Sequence, residues 1–215
     1  MELRVTPLTR RDYLETWQAM RAFTESRDEA TPDEIWLVEH PPVYTLGRNG
    51  DRAHILDASD IPVVESDRGG QVSYHGPGQL VAYTLFDLNR LGIGVRSLVR
   101  GLERAVTATL AQYGIRSEAR PDAPGVYVEG HKIASLGLRI RHGYSYHGLS
   151  LNVDLDLAPF RAINPCGYPG LEVTRLVDLG VEVKTQEVAV PLIGQIAQEF
   201  HYRRVVSAEA GPASD

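Results

Sequence analysis

The sequence predicts an α+β fold: a mixed, mostly antiparallel sheet flanked by helices. Three observations carry this. Nine short runs rich in β-branched and aromatic residues are punctuated by Gly, Pro or Asp. Only three segments have helical periodicity. The two kinds do not alternate, as a doubly wound nucleotide fold would require.

In chain order, the first helix lies between Arg10 and Glu25. There Tyr13, Trp17, Met20 and Phe23 recur every three or four residues behind Thr9, a candidate N-cap. Strands are expected at 34–39, 43–46, 61–65, 71–74 and 80–85. The second helix runs over 95–113, with Val95, Leu98, Val99, Leu102, Val106 and Leu110 as one apolar stripe and Gly114 at the C-cap. Strands at 125–128, 132–140, 144–153 and 181–183 follow. The third helix is built on Leu192, Ile193, Ile196 and Phe200. Pro191 suits an early turn of it and would kink it from a deeper position.

The chain has 215 residues, 43% hydrophobic and 23% charged, an ordinary globular balance. Residues 1–206 are expected to form one domain, long enough to bury about 70–75% of its unfolded surface. Residues 207–215, small and polar, are expected to be a disordered tail. With 22 Lys+Arg against 28 Asp+Glu (net −6) and no basic block, nucleic acid is not expected as a partner. The N-terminal stretch is polar and no run approaches 18 apolar residues, so neither an export signal nor a membrane span is expected. One cysteine cannot close an internal disulfide or build a cysteine-rich zinc site. The expectation is a cytoplasmic monomer with no cofactor and no metal.

Four stretches carry chemistry. Arg68-Gly69-Gly70-Gln71-Val72-Ser73-Tyr74-His75-Gly76-Pro77-Gly78 spends four glycines where each costs backbone entropy, as a ligand-facing wall would. Its Gly76-Pro77-Gly78 reads as a hairpin turn, and neither nucleotide phosphate-loop pattern is present. In Asn164-Pro165-Cys166-Gly167, the flanking Pro and Gly place Cys166 on a non-repetitive turn. That suits an exposed nucleophile better than the small buried hydrophobe a lone Cys often is. Lys132 follows Gly130-His131. Strict alternation puts it on the face of Ala134 and Leu136 and opposite Ser135. It either snorkels to water or meets an anion. An ammonium about 4 Å from a thiolate gains about 4 kcal/mol at an effective dielectric near 20, before desolvation. In the fourth stretch, His147 reads equally as a base, a positioning donor or a hydrogen-bonded core histidine. Gly148 and Ser150 beside Ala134, Ser135 and Gly137 leave a void that an acyl chain would fill.

Five motifs occur in order: Glu39 to Arg48, Arg68 to Gln79, Lys132-Ile133-Ala134-Ser135-Leu136-Gly137, Tyr146 to Val153, and Pro165-Cys166-Gly167. In this the chain resembles the lipoyl(octanoyl) transferases, which move octanoyl from acyl carrier protein to a lysine of lipoyl domains. The resemblance spans 35–179 and implies a fold similar to the catalytic domain of the biotin and lipoate protein ligases. It implies Cys166 as the acyl-accepting nucleophile and Lys132 as the partner that keeps its thiol ionised. It implies a substrate pocket lined by Arg68, Gly69, Gly70, Gln71, Val72, Ser73, Tyr74 and His75. To these it adds Ser135, Leu136, Gly137, His147, Gly148, Leu149 and Ser150.

The partners it implies are octanoyl-acyl carrier protein as donor and, as acceptors, the lipoyl domains of 2-oxoacid dehydrogenase complexes and the glycine cleavage H protein. Ser135 and Ser150 stand where Ala is common in the family and would narrow or polarise the tunnel. Backbone N–H groups of Cys166 and Gly167 are candidate oxyanion donors, and Arg139 and Arg141 candidate docking cations. The rival reading is an ATP-dependent lipoate or biotin ligase, which shares the glycine-rich strand but needs no thiol.

Overall fold

The computed structural model describes residues 1–121 and 123–207, apart from the Leu8 side chain. Its strands are β1 (Glu2–Arg10), β2 (Asp33–Glu39), β3 (Val43–Leu46), β4 (Val63–Glu65), β5 (Val72–His75), β6 (Gln79–Leu85), β7 (Glu118–Ala119), β8 (Val126–Val128), β9 (His131–Arg141), β10 (Tyr144–Asn152) and β11 (Arg204–Ser207). The helices are α1 (Tyr13–Ser26), α2 (Leu88–Leu91), α3 (Val95–Gln112) and α4 (Thr185–Glu199).

Eight strands form one sheet in the order β11-β1-β2-β6-β10-β9-β8-β7, and β4-β3-β5 form a small second sheet. In the large sheet only the β11–β1 and β1–β2 pairs are parallel, so the expected mixed, mostly antiparallel α+β fold is the one found.

Period-2 alternation decides which side each residue serves. On β6, Leu80 and Ala82 join the main core under α3 and α4, while Val81, Tyr83 and Leu85 join the apolar cluster that Met20 of α1 completes. β2 does the same with Ile35 and Val38. Both faces of the central strands are therefore covered, which is why they read as nearly continuous apolar runs.

Several expectations are corrected. α1 is capped by Asp12, whose Oδ1 accepts from Leu14 N (2.7 Å) and Glu15 N (3.1 Å); Thr9 lies in β1 instead. β1 itself escaped the sequence reading because Pro7 interrupts it. Pro7 sits beyond the stretch paired with β11, where its missing N–H costs no ladder bond. Residues 181–183 form no strand: Val181 and Val183 pack on the main core from irregular backbone after Gly180, at φ +81°. α4 begins seven residues before Leu192, at Thr185, so Pro191 lies inside it. Gly76-Pro77-Gly78 is a turn, but not of a hairpin, since β5 and β6 belong to different sheets. Ser207 pairs with Val5 in the sheet, so the last strand crosses the expected boundary at 206, and 208–215 lie outside the described residues.

Candidate active site

Between the two sheets and α3 lies a cavity of about 490 Å³, within the range of small-molecule sites. Its lining includes Arg68, Gly69, Gly70, Gln71, Val72, Ser73 and His75. Lys132, Ser135, Leu136, Gly137, His147, Gly148, Leu149, Ser150 and Cys166 complete the set that the sequence had singled out. Tyr74 is the exception. Its ring packs edge-on against Phe160, in the apolar cluster behind the small sheet, because alternation turns it away from Ser73 and His75.

Cys166 sits in the short turn Pro165–Gly167 with φ +56° and ψ 16°, a left-handed conformation that a non-glycine residue adopts at a cost. The turn is anchored from outside: Asn164 N donates to His54 O at 2.8 Å. The thiol is thereby presented to Lys132, whose Nζ lies 2.9 Å from Sγ. The two residues are 34 apart in sequence. They are held together by backbone, since Lys132 N donates to Glu172 O and Thr174 N donates to Lys132 O, both at 2.9 Å. The segment after the Cys166 turn is thus clamped onto the start of β9.

Lys132 is 2% exposed. Burial works to lower its pKa, but Cys166 and Tyr127 outweigh it, and the ammonium is held above its ordinary value. Alternation had placed Lys132 opposite Ser135, yet both line the cavity. The reason is a bulge: Val126 pairs with Ala134 and Tyr127 with Lys132, so β9 carries an extra residue, Ile133.

Three residues the sequence reading missed support the ammonium. The Tyr127 ring lies 5.3 Å from Nζ and its hydroxyl donates to Ala123 O at 2.9 Å. Gly125, at φ +140°, leaves room for the lysine stem: a Cβ there would stand 2.4 Å from Lys132 Cε and 2.7 Å from Ala134 O. Buried Glu103 of α3 accepts from Gly125 N at 2.9 Å. Of these, only the glycine's place beside turn residues could have signalled itself in the sequence.

Along the sheet, Asp67 collects donors. It accepts from Trp17 Nε1 (2.8 Å), from His147 Nε2 (2.9 Å) and, in a short bond, from the Tyr146 hydroxyl. Adjacent strand residues normally point to opposite faces. Here His147, at φ +60°, breaks the alternation, so both it and Tyr146 reach the one carboxylate. Burial works to raise the Asp67 pKa, but His147, Tyr146 and Trp17 outweigh it and hold the carboxylate below its usual range. Burial lowers the pKa of His147 against the opposing pull of Asp67, to which its Nε2 donates.

Arg68 donates to Thr45 O and Oγ1, Gly69 O and Gln71 O, bracing the glycine turn with its own guanidinium. Gly167 N is spent on Asn164 O (2.9 Å), which removes it as an oxyanion donor. Arg139 and Arg141 lie at the opposite end of β9 from Lys132, and Arg141 pairs with Glu25 at 3.4 Å. Among the described residues no cluster of His, Cys, Asp and Glu could hold a metal ion, and no helix is long and apolar enough to cross a membrane.

Known proteins share this fold. The chain superposes on a lipoate-protein ligase A bound with ATP at a TM-score of 0.82, with 17% identity over 99% of this chain and 90% of that one. It superposes on the biotin protein ligase of Aquifex aeolicus at 0.57, with 13% identity over 92% and 69%. These likenesses define the fold as that of the lipoate and biotin ligase catalytic domains.

A family model described as the lipoyl protein ligase A/B catalytic domain matches residues 12–197. The octanoyltransferase of Alkalilimnicola ehrlichii is 68% identical over 84% of each chain. That of Cellvibrio japonicus is 59% identical over 93% of this chain and 94% of its own. The chain belongs to the lipoyl protein ligase A/B family, among its octanoyltransferases, and is an acyltransferase.

Proposed function

We propose that the protein transfers an octanoyl group from octanoyl-acyl carrier protein, through a thioester on Cys166, to a specific lysine of lipoyl domains. This is the first step of endogenous protein lipoylation. The acceptors are the lipoyl domains of 2-oxoacid dehydrogenase complexes and the glycine cleavage H protein. The observation that carries the reading is the Lys132 Nζ to Cys166 Sγ contact of 2.9 Å on the wall of a cavity able to hold an acyl chain.

The chemistry follows from that pair. The thiolate is the nucleophilic form, and a buried ammonium beside it favours that form. Sγ attacks the thioester carbonyl, the bond to the carrier sulfur breaks, and the carrier leaves as a thiol with the proton of the Lys132 ammonium, which leaves Lys132 neutral. One thioester replaces another with little change in free energy. The lipoyl lysine then attacks the Cys166 thioester. Lys132, its anionic partner now acylated, takes the amine proton as general base. An amide is more stable than a thioester, so this second step runs downhill without ATP. The chain acts as a monomer, and a reducing compartment such as the cytoplasm keeps the single thiol free.

The test is direct. Incubation with octanoyl-acyl carrier protein, without ATP, should add one octanoyl mass to the peptide containing Cys166, and a lipoyl domain should discharge it. Transfer by Cys166→Ala at the wild-type rate would sink the nucleophile. A strict requirement for ATP and free octanoate would make the protein a ligase.

A further inference from the structure

The cavity wall carries hydroxyl groups for which plain octanoyl has no use. Ser135 of β9 and Ser150 of β10 are direct register partners, and both line the cavity. Ser73 of β5 adds a third hydroxyl from the small sheet. Among the described residues none of the three hydroxyls has a hydrogen-bond partner, and none is among the unpartnered polar atoms sealed from solvent. Each therefore opens onto the cavity.

Ser145, on the same strand as Ser150, shows what a structural serine does here. Its Oγ donates to Thr84 O (2.7 Å) and accepts from Phe86 N (3.0 Å). Covering an unpartnered hydroxyl with hydrocarbon forfeits its bonds to water, which weakens binding by about tenfold for a typical net cost. A chain bearing its own hydroxyl restores the lost bond.

We propose that the cavity also accepts medium-chain acyl thioesters carrying a hydroxyl, and that Ser135, Ser150 and Ser73 recognise that hydroxyl. The inference rests on the acyl-transfer reading above. The covalent step is unchanged: the bond from Cys166 Sγ to the carbonyl carbon forms as the bond to the donor sulfur breaks. The donor leaves as a thiol with the proton of the Lys132 ammonium, and the chain hydroxyl is untouched.

The experiment compares octanoyl-pantetheine with its 3-, 5- and 7-hydroxyoctanoyl counterparts, following Cys166 acylation by intact mass. It uses the wild type and the double variant Ser135→Ala/Ser150→Ala. The quantity read is the ratio of kcat/KM for hydroxylated over plain chain, which cancels any general loss in the variant. For at least one isomer the double variant should lower that ratio tenfold or more. Ser135→Ala alone should lower it in the same direction and serves if the pair fails to fold. An unchanged ratio for all three isomers overturns this inference alone. A wild-type chain that takes up no thioester on Cys166 overturns the acyl-transfer reading and this inference with it.

Discussion

At one end of β9, Cys166 Sγ meets Lys132 Nζ. Elsewhere along the sheet, behind the cavity-lining His147, Asp67 is bonded by Trp17, Tyr146 and His147. Both are charge-bearing clusters held against one sheet, and both need a residue at positive φ, Cys166 in one and His147 in the other. They differ in saturation. The carboxylate has three donors fixed by packed aromatic side chains, so it has little capacity left for a ligand. The thiol sits on a turn, half-buried, facing an ammonium that has no carboxylate partner among the described residues. A carboxylate held by three fixed donors stabilises the fold, whereas a thiol left short of partners is free to react.

That contrast can be broken in order of effect. Lys132→Ala should cost the most, roughly a hundredfold or more in octanoyl transfer, in line with losing a general base. Iodoacetamide should also label Cys166 more slowly at neutral pH, and labelling at the wild-type rate would remove Lys132 from the thiol's activation. Gly125→Ala should come next. The new Cβ meets Lys132 Cε and Ala134 O and must displace the ammonium, so transfer should fall roughly tenfold or more while Cys166 remains alkylatable. A fully active Gly125→Ala chain would show that the lysine stem has another path.

Asp67→Asn should do the reverse. Transfer should stay within a few-fold of wild type, while thermal unfolding comes a few degrees earlier, about 1 kcal/mol for one weakened, half-buried hydrogen-bond network. A collapse of activity with Tm unchanged would move Asp67 to the reacting side of the comparison.

The smallest effect concerns acid. Burial lowers the pKa of His40 to about 4 and that of His75 to about 3. The unfolded chain therefore binds protons that the folded chain refuses, from roughly pH 6.5 down to about 4 at His40 and about 3 at His75. Stability should fall as the pH drops through that window, and His75→Gln should flatten the fall in a pH series of thermal melts. A steeper fall in the variant would contradict this.

Much of the site was legible in the chain. Arg68 to Ser73, His75, Lys132, Ser135 to Gly137, His147 to Ser150 and Cys166 were singled out from motifs and line one cavity. Tyr74 was carried along by its neighbours, and alternation on β5 removes it. The bulge at Ile133 was not legible, since it depends on which β8 residue faces which β9 residue. Tyr127, Gly125 and Glu103 were missed for the same reason: each acts through a neighbour from another element. β1 was hidden by Pro7, whose harmlessness depends on where β11 stops.

The sequence by itself determined the fold class, because period-2 and period-3.6 patterns are local and bury the same faces wherever the elements meet. It also determined the residue types available for chemistry, including a thiol set between proline and glycine. Only the tertiary structure decided that this thiol faces Lys132, that Asp67 is saturated and that three serines are not. Such contacts join residues tens of positions apart, and a pairing across strands leaves no periodic trace in the chain.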